Sequence, residues 1–202
     1  MPSDFITLEP IEGIQQHRSR LLEGMAVAVG QKGYGDTTIA DIVREASVSR
    51  RTFYEHFATK AECLIALYEA ASRNALGVLR DAIDPRHGWE QQVERALRAY
   101  LECMASNPVL MRTLFIEILH LGPEGLAARR RVNQEIADYM LAVVGRDKVT
   151  PELAMAVVGG IHELVLQAIE QGRVERLAEL TPAASALVKA VVHSGGPERA
   201  AA

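Results

Sequence analysis

The sequence predicts an all-α protein: an N-terminal three-helix domain followed by a C-terminal helical bundle, about nine helices in all. Apolar residues recur at helical spacing along most of the chain, and no run alternates apolar and polar residues long enough to require a strand. With 202 residues, 49% of them hydrophobic, the chain can bury a core without disulfides. Cys63 and Cys103 stand in no CxxC pattern, so we expect reduced, mostly buried thiols.

Capping residues set the bounds of the first four helices. The first helix is predicted to stop at Gly33, because glycine readily takes the left-handed conformation that closes a helix. Thr38 and Thr59 each stand three residues before an acid, a capping-box pattern that opens the second and fourth helices, and Ser49 is the expected N-cap of the third. These helices are predicted over residues 16–31, 38–46, 50–57 and 60–83.

The second and third helices, with a short turn at residues 47–49 between them, have the spacing of a helix-turn-helix. Phe53 and Phe57, four residues apart, are predicted to anchor the third helix against the second. The opposite surface carries polar side chains that would point into a DNA major groove. The expected inward residues of the second helix and turn are Ile39, Ile42, Val43 and Val48, and the expected outward ones are Arg50, Arg51, Tyr54 and His56.

Charge distribution agrees with this interpretation, although the net charge is −4. Residues 14–60 hold seven Lys and Arg against five acids, or +2, and the remainder holds 15 against 21, or −6. A basic head on an acidic body is typical of a protein that meets DNA at one surface. An isolated arginine pair more often only solvates a helix, but the surrounding framework favours base contact for Arg50 and Arg51. Glu55 is interpreted first as an i,i+4 partner of Arg51.

The stretch from Gly33 to Leu64, GYGDTTIADIVREASVSRRTFYEHFATKAECL, resembles the N-terminal DNA-binding region of the tetracycline-repressor (TetR) family of bacterial transcription regulators. The TFYEHF-x-x-K pattern is the most specific part of the match. Arg51 and Ser47 depart from the small residue and the glycine common in the family. The resemblance implies phosphate contacts from Thr38, Tyr54 and Lys60 and groove-facing positions for Arg50, Arg51, Thr52 and His56. With the cap Ser49, these are the predicted DNA-binding residues.

Five helices are expected in the C-terminal part, over residues 89–107, 108–121, 123–144 and 151–171, with the last one starting at Thr181 and Pro182. Thr–Pro pairs at 150–151 and 181–182 match the N-cap and N1 preferences. Small residues on the helix from Pro151 would allow close approach of another helix, either within one subunit or across a two-fold axis. The family resemblance favours the homodimer, and the predicted interface is Ala156, Gly159, Gly160, Glu163, Leu164, Gln167, Leu187 and Val191.

The resemblance also implies a ligand pocket among the helices of residues 60–145. Most apolar candidates there could equally be ordinary core residues. Glu117 and His120, three residues apart in an apolar run, could contact a ligand or only each other, and the sequence leaves both open. The predicted ligand-binding residues are Trp89, Tyr100, Cys103, Met104, Met111, Phe115, Glu117, His120, Tyr139 and Met140.

Taken with the resemblance, these features predict a cytoplasmic, ligand-responsive regulator, a repressor by family default, that binds a palindromic operator as a homodimer and is released by an apolar or amphipathic molecule. The alternative is a helical ligand- or partner-binding protein without operator binding. HELVL at 162–166 lacks the second histidine of a zinc hydrolase motif, so we expect no enzyme, cofactor or metal. We expect no membrane role, since charged and polar residues interrupt the longest apolar run. The predicted parts are a disordered arm 1–13, a helix-turn-helix domain 14–62, a ligand-binding and dimerisation domain 63–193 and a disordered tail 194–202.

Overall fold

The structure, a computed structural model, describes residues 14–194, so the predicted disordered arm and all of the predicted tail except Ser194 lie outside the described residues. Within that range the chain forms nine α-helices and two 3₁₀ segments, with no strand. The α-helices are α1 Ile14–Asp36, α2 Ile39–Ala46, α3 Arg50–His56, α4 Lys60–Asp81, α5 Trp89–Ala105, α6 Pro108–Phe115, α7 Pro123–Val144, α8 Pro151–Glu170 and α9 Thr181–Ser194. The 3₁₀ segments are Glu117–Leu121 and Val174–Leu180. The all-α prediction is confirmed.

Packing divides the chain into two compact units. The first unit contains the described residues up to Asn74 together with Asn107–Ala128, and the second contains Ala75–Ser106 and the residues from Arg129 onward. The division falls inside α4 and inside α7, so each of these helices contributes to both units. The predicted domain boundary after residue 62 differs from this division, because the beginning of α4 and all of α6 pack with the N-terminal helices.

In the first unit, α1 packs against α2, α3, α6 and the first 3₁₀ segment. Its buried face is an apolar stripe of Leu21, Leu22, Met25, Ala28 and Val29, and α2 crosses it at Gly24. A Cβ atom at Gly24 would lie 2.6 Å from the carbonyl oxygen of Ile42 and 2.8 Å from the backbone nitrogen of Ala46. Only glycine fits this crossing without a shift of the α2 backbone. The largest fully buried side chains here are Phe53, Leu21, Leu22, Met25, Ile42, Leu64, Leu67, Leu110 and Ile118.

In the second unit, α5 packs against α9 and the second 3₁₀ segment, and α8 packs against both of these as well. By length and composition alone helix α8 could cross a membrane: its most apolar 18-residue stretch has a mean hydropathy of 1.4, and 44% of that stretch is buried inside the protein. One such helix is weak evidence of a membrane span. The apolar cluster of this unit draws on α5, α7, α8 and α9. It includes Leu97, Ala137, Leu141, Val149, Ala154, Val157, Val158, Ile161, Ala184, Val188 and Val192.

Several helix ends differ from the predicted ones. Helix α1 begins at Ile14 and continues to Asp36, but Gly33 interrupts it with φ 79° and ψ 163°, so the predicted break lies at the predicted residue. The helix predicted over 108–121 ends at Phe115, where the 3₁₀ segment replaces the last turns. Helix α4 ends two residues early, and α5 ends at Ala105 because Asn107 instead caps α6, its Oδ1 accepting the N–H of Leu110 at 3.0 Å.

The predicted N-cap role of Thr181 is wrong. Thr181 has helical dihedral angles, and its hydroxyl donates back to the carbonyl of Ala178 at 2.7 Å. The second 3₁₀ segment therefore runs directly into α9, so no non-helical residue precedes α9 to act as its N-cap. Thr150, by contrast, caps α8 as predicted.

Candidate functional site

Both helices of the helix-turn-helix begin at the N-cap residues that the sequence predicted. Thr38 and Asp41 form a complete capping box at α2, and the Oγ of Ser49 accepts the N–H of Thr52 at 3.0 Å at α3. Between the two helices Ser47 adopts the left-handed conformation, with φ 50° and ψ 46°. Arg20 of α1 donates to the Ser47 carbonyl at 2.7 Å, which fixes the turn to the first helix. The strained residue is thus held by a contact that the sequence did not predict.

Helix α3 separates a buried apolar face from an exposed polar one. Phe53 and Phe57 are 0% and 2% exposed, whereas Tyr54 is 58% exposed and Arg50 is exposed beside it. The side chain of Arg51 is 90% exposed, and its Nε donates to Glu55 at 3.1 Å, the predicted i,i+4 pair. Such an exposed pair contributes about 0.3–0.5 kcal/mol, so it opens readily when a better acceptor arrives. The exposed face therefore offers two guanidinium groups and a phenol.

His56 lies differently from the other predicted groove residues. It is half-buried, and its ring centre is 6.5 Å from that of His17 in α1. Burial lowers the pKa of His56, and the nearby His17 and Arg18 lower it further. The imidazole is thus directed in part toward α1, which weakens its assignment as a base-contacting residue.

The two residues expected to hold phosphates at helix N-termini already have intramolecular partners. The hydroxyl of Thr38 donates to Asp41 at 2.6 Å. The Nζ of Lys60 donates to the carbonyls of Tyr34 and Thr37, each at 2.7 Å, and lies 4.1 Å from the Tyr34 ring centre. Burial lowers the pKa of Lys60. A phosphate contact from Lys60 would have to compete with these bonds, so its first role is to tie α4 to the end of α1.

Asp41 is the most strongly paired acid of this region. Lys32 of α1 lies 2.7 Å from its carboxylate and Arg44 lies 3.1 Å away. The hydrogen bond from Lys32, followed by those from Thr38, holds the pKa of Asp41 well below its usual range. The sequence identified Asp41 as half of a capping box but gave no sign of Lys32. The ion pair between Lys32 and Asp41 depends on how α1 crosses α2, which local spacing does not encode.

Glu117 and His120 also lie in the first unit and pair with each other. His120 Nδ1 is 3.1 Å from Glu117 Oε2, and the same oxygen accepts the backbone N–H of Tyr34 at 2.9 Å. Glu117 is 9% exposed, whereas the His120 side chain is 60% exposed. Of the two alternatives left open by the sequence, the geometry therefore matches the self-paired one.

The second unit contains a cavity of about 500 Å³. Its body is apolar, and its polar residues come from the first turn of α5, the loop after α7 and the last turn of α9. Three residues predicted to bind ligand line it, namely Trp89, Tyr139 and Met140. The other lining residues are Leu79, Ile83, Gln92, Val93, Ala96, Leu97, Ile136, Val143, Val144, Asp147, Lys148, Val157, Val158, Ile161, Val188, Val192 and His193.

The remaining predicted ligand residues lie outside this lining. Tyr100 is buried, and its hydroxyl is 3.0 Å from Nε2 of His162. Met111, Phe115, Glu117 and His120 belong to the first unit, because α6 and the 3₁₀ segment pack on α1. Cys103 is half-buried and Met104 is a core residue on α5. The sequence also confined the pocket to residues 60–145, whereas α8 and α9 supply part of the wall.

The residues predicted to form a dimer interface lie on the surface of the protomer. Ala156, Glu163 and Gln167 on α8 are exposed, and Gly159, Gly160, Leu164, Leu187 and Val191 are half-buried. A Cβ atom at Gly159 would meet nothing within 4 Å, whereas one at Gly160 would lie 3.2 Å from Leu187 Cδ2. Gly160 thus faces α9 of its own chain, and Gly159 faces open space.

Comparisons with known proteins agree with this geometry. The family model for bacterial regulatory proteins of the tetR family matches residues 21–67. An uncharacterized HTH-type transcriptional regulator of Bacillus subtilis, YxbF, is 29% identical over 84 residues, which cover 42% of this chain and 22% of the relative. The chain therefore matches only about a fifth of that relative's length.

Two solved structures share the fold. The fatty acid degradation regulator FadR from Bacillus halodurans superposes with a TM-score of 0.76 at 14% identity, covering 94% of this chain and 99% of that one. FadR from Bacillus subtilis, solved in complex with stearoyl-CoA, has a TM-score of 0.64 at 15% identity, covering 86% and 96%. At these identities the likeness concerns the fold alone. The match over residues 21–67, where the helix-turn-helix is built, identifies this region as a tetR-family DNA-binding region.

Proposed function

We propose that the protein is a cytoplasmic transcription regulator that binds a palindromic DNA operator as a homodimer, acts as a repressor, and is released from DNA by a small molecule. The observation that carries the proposal is the division of α3 into a buried Phe53 and Phe57 face and an exposed face with Arg50, Arg51 and Tyr54. A helix with that division is suited to entering the major groove. Its caps need no partner from DNA, since Ser49 and Thr38 supply them.

Arg51 is the proposed base reader. Its side chain is 90% exposed, and its guanidinium pairs with Glu55 on the same helix. An arginine fork on guanine O6 and N7 discriminates by about 1–3 kcal/mol. That exceeds the strength of an exposed i,i+4 ion pair, about 0.3–0.5 kcal/mol, so the arginine can exchange one partner for the other.

The surface of α8 supports the proposed homodimer. The accessible strip of this helix combines the half-buried Gly159, Gly160 and Leu164 with the exposed Ala156, Glu163 and Gln167, and Leu153 on the same helix is 39% exposed. A two-fold axis along such a strip would cover it and would also place two α3 helices for two half-sites. A Cβ atom at Gly159 would meet open space, so this is the point where a second backbone could approach.

The cavity in the second unit is the proposed effector site. Its volume of about 500 Å³ and its mainly aliphatic walls suit an apolar or amphipathic molecule with a polar group near Lys148 and His193. The stearoyl-CoA bound by FadR of Bacillus subtilis supports an acyl chain as the first class to test.

Helix α4 offers a route from the cavity to the DNA-binding end. Leu79 near its C-terminus lines the cavity, and Lys60 at its N-terminus is bonded to two carbonyls at the end of α1. A ligand that tilts α4 would therefore move the residues on which α2 and α3 depend. To weaken DNA binding about a hundredfold, it must favour the displaced state by about 2.7 kcal/mol.

The test is a selection of duplexes from a random-sequence library with the purified protein, followed by titration of the selected duplex and a random duplex. Arg51→Ala should weaken binding to the selected duplex about tenfold or more and affect the random duplex much less. Arg98→Ala is the matched control, because Arg98 also forms an exposed i,i+4 pair, with Glu94. If the protein enriches no sequence, a ligand- or partner-binding protein without operator binding becomes the better description.

A further inference from the structure

The end of α1 and its connection to α2, residues 33–38, are held by side chains from two distant parts of the first unit, and we call this segment the joint. Because Gly33 leaves the helical conformation, the N–H of Tyr34 turns away from the carbonyl one helical turn earlier. The Glu117 carboxylate accepts this N–H at 2.9 Å. From α4, Lys60 donates to the carbonyls of Tyr34 and Thr37. Both backbone groups of Tyr34, its N–H and its carbonyl, are thus held by charged side chains.

The surroundings of Glu117 are shaped for this contact. A Cβ atom at Gly33 would lie 3.7 and 3.8 Å from the two carboxylate oxygens, an ordinary contact distance, so the acid lies directly beside Gly33, and the positive φ is what favours glycine there. Glu117 is 9% exposed and begins the 3₁₀ segment that interrupts the helical run after α6. A buried carboxylate is tolerated where it is hydrogen-bonded, and the Tyr34 N–H and His120 supply those bonds.

The joint determines where the helix-turn-helix lies relative to α1. Thr37, at its end, is 2% exposed and donates its hydroxyl to the carbonyls of Ala28 and Gly33. Helix α2 begins two residues later, and its cap is complete in itself. A rotation of the Tyr34 peptide would therefore be passed on to α2 and α3 as a change of direction.

We propose that Glu117 is a positioning residue for DNA binding, which fixes the direction of α2 and α3 by holding the Tyr34 N–H. The inference rests on the proposed function. It assigns the segment after α6 a part in DNA affinity without any contact to DNA or to the cavity. Glu117 begins the 3₁₀ segment that leads into α7. A displacement of this 3₁₀ segment would therefore act on the joint directly.

Two near-isosteric variants separate the hydrogen bond from the packing. Glu117→Gln keeps an oxygen acceptor for the Tyr34 N–H, and Glu117→Met keeps a similar volume without one. Glu102→Met, an exposed carboxylate on α5, is the control for loss of a charge. Each variant is titrated with the duplex selected by the parent and with a random duplex, at a temperature well below the midpoint of its thermal unfolding. Hydrogen exchange of the Tyr34 amide in the free protein is measured by NMR.

The expected result is that Glu117→Met weakens binding to the selected duplex about tenfold relative to the random one, a change of about 1.4 kcal/mol. Its Tyr34 amide should exchange at least tenfold faster, whereas Glu117→Gln should restore most of both properties. Equal affinity of the Met variant and the parent for the selected duplex would overturn the positioning role. So would an equal loss on both duplexes. Failure of the parent to select any duplex would instead overturn the proposed function, with the exchange data still testing the contact.

Discussion

A buried histidine in the second unit should make stability depend on pH. His162 of α8 is 5% exposed; its Nε2 lies 3.0 Å from the Tyr100 hydroxyl and its Nδ1 lies 3.1 Å from Oδ1 of Asn133. The neutral ring with hydrogen on Nδ1 satisfies both neighbours, because Nδ1 donates to Asn133 and Nε2 accepts from Tyr100. Protonation would place a charge in the core and a second donor against the tyrosine. Burial, followed by the nearby Arg129, lowers the pKa of His162 to about 4.

The sign of the effect follows from proton counting. The ordinary pKa of histidine is 6.5, and that of His162 in the folded protein is about 4. Between these two pH values the unfolded chain binds a proton at His162 that the folded protein does not. The free energy of unfolding therefore falls as the pH is lowered through this window, and it is fully restored above the ordinary pKa. The difference between the two values corresponds to about 3 kcal/mol at most.

The assay is urea unfolding at several pH values for the parent and for His162→Gln, whose amide can bond to the same neighbours but does not titrate. Paired carboxylates such as Asp41 also lose stability in acid, so the difference between the two proteins isolates the histidine. The parent should lose about 2–3 kcal/mol more than the variant between pH 7 and pH 4. Parallel profiles for the two proteins would refute the assignment of a neutral, buried imidazole.

Three further predictions concern backbone approach and the α4 contact. Gly24→Ala should lower the free energy of unfolding by about 1–3 kcal/mol, because its Cβ meets the α2 backbone; Gly77→Ala, in open space on α4, should instead stabilise by up to about 1 kcal/mol in the same urea titration. Lys60→Met should cost about 1–3 kcal/mol, since two carbonyls lose their donor, and an unchanged unfolding midpoint would contradict the clamp. Gly159→Leu should dissociate the proposed dimer in sedimentation without lowering protomer stability, whereas Gly160→Leu should lower stability by clashing with its own α9.

The N-terminal helices were largely predictable because their signals are local. The capping box at Thr38 and the cap at Ser49 act within four residues, and both are present as predicted. The second capping box is only half formed, since Glu62 accepts the N–H of Ala58 in place of that of Thr59. Local patterns place a helix start to within a residue, but they do not decide which of two neighbouring N–H groups an acid will take.

The cavity was less predictable because its walls come from five helices and their connections, distant in sequence. Apolar spacing identifies the buried face of each helix, yet it does not distinguish a side chain that fills the core from one that borders a space. Tyr100 and Trp89 lie on the same helix and look alike as candidates, but one bonds to His162 and the other lines the cavity. The two outcomes depend on how α8 and α9 pack on α5, which no short pattern encodes.

The family resemblance and the structure give Lys60 two different roles, a phosphate contact and a contact with backbone carbonyls. Its position at the start of α4 favours an anion, and the resemblance accordingly implied a phosphate contact. In the protein its ammonium faces two carbonyls and the ring of Tyr34, and these carbonyls are available because α1 ends at Asp36. Glu117 takes the N–H of the same Tyr34. The α1–α2 joint is therefore held by a cation and an anion acting on the two peptide groups that flank Tyr34 Cα, and its geometry can respond to movement of either α4 or the segment after α6.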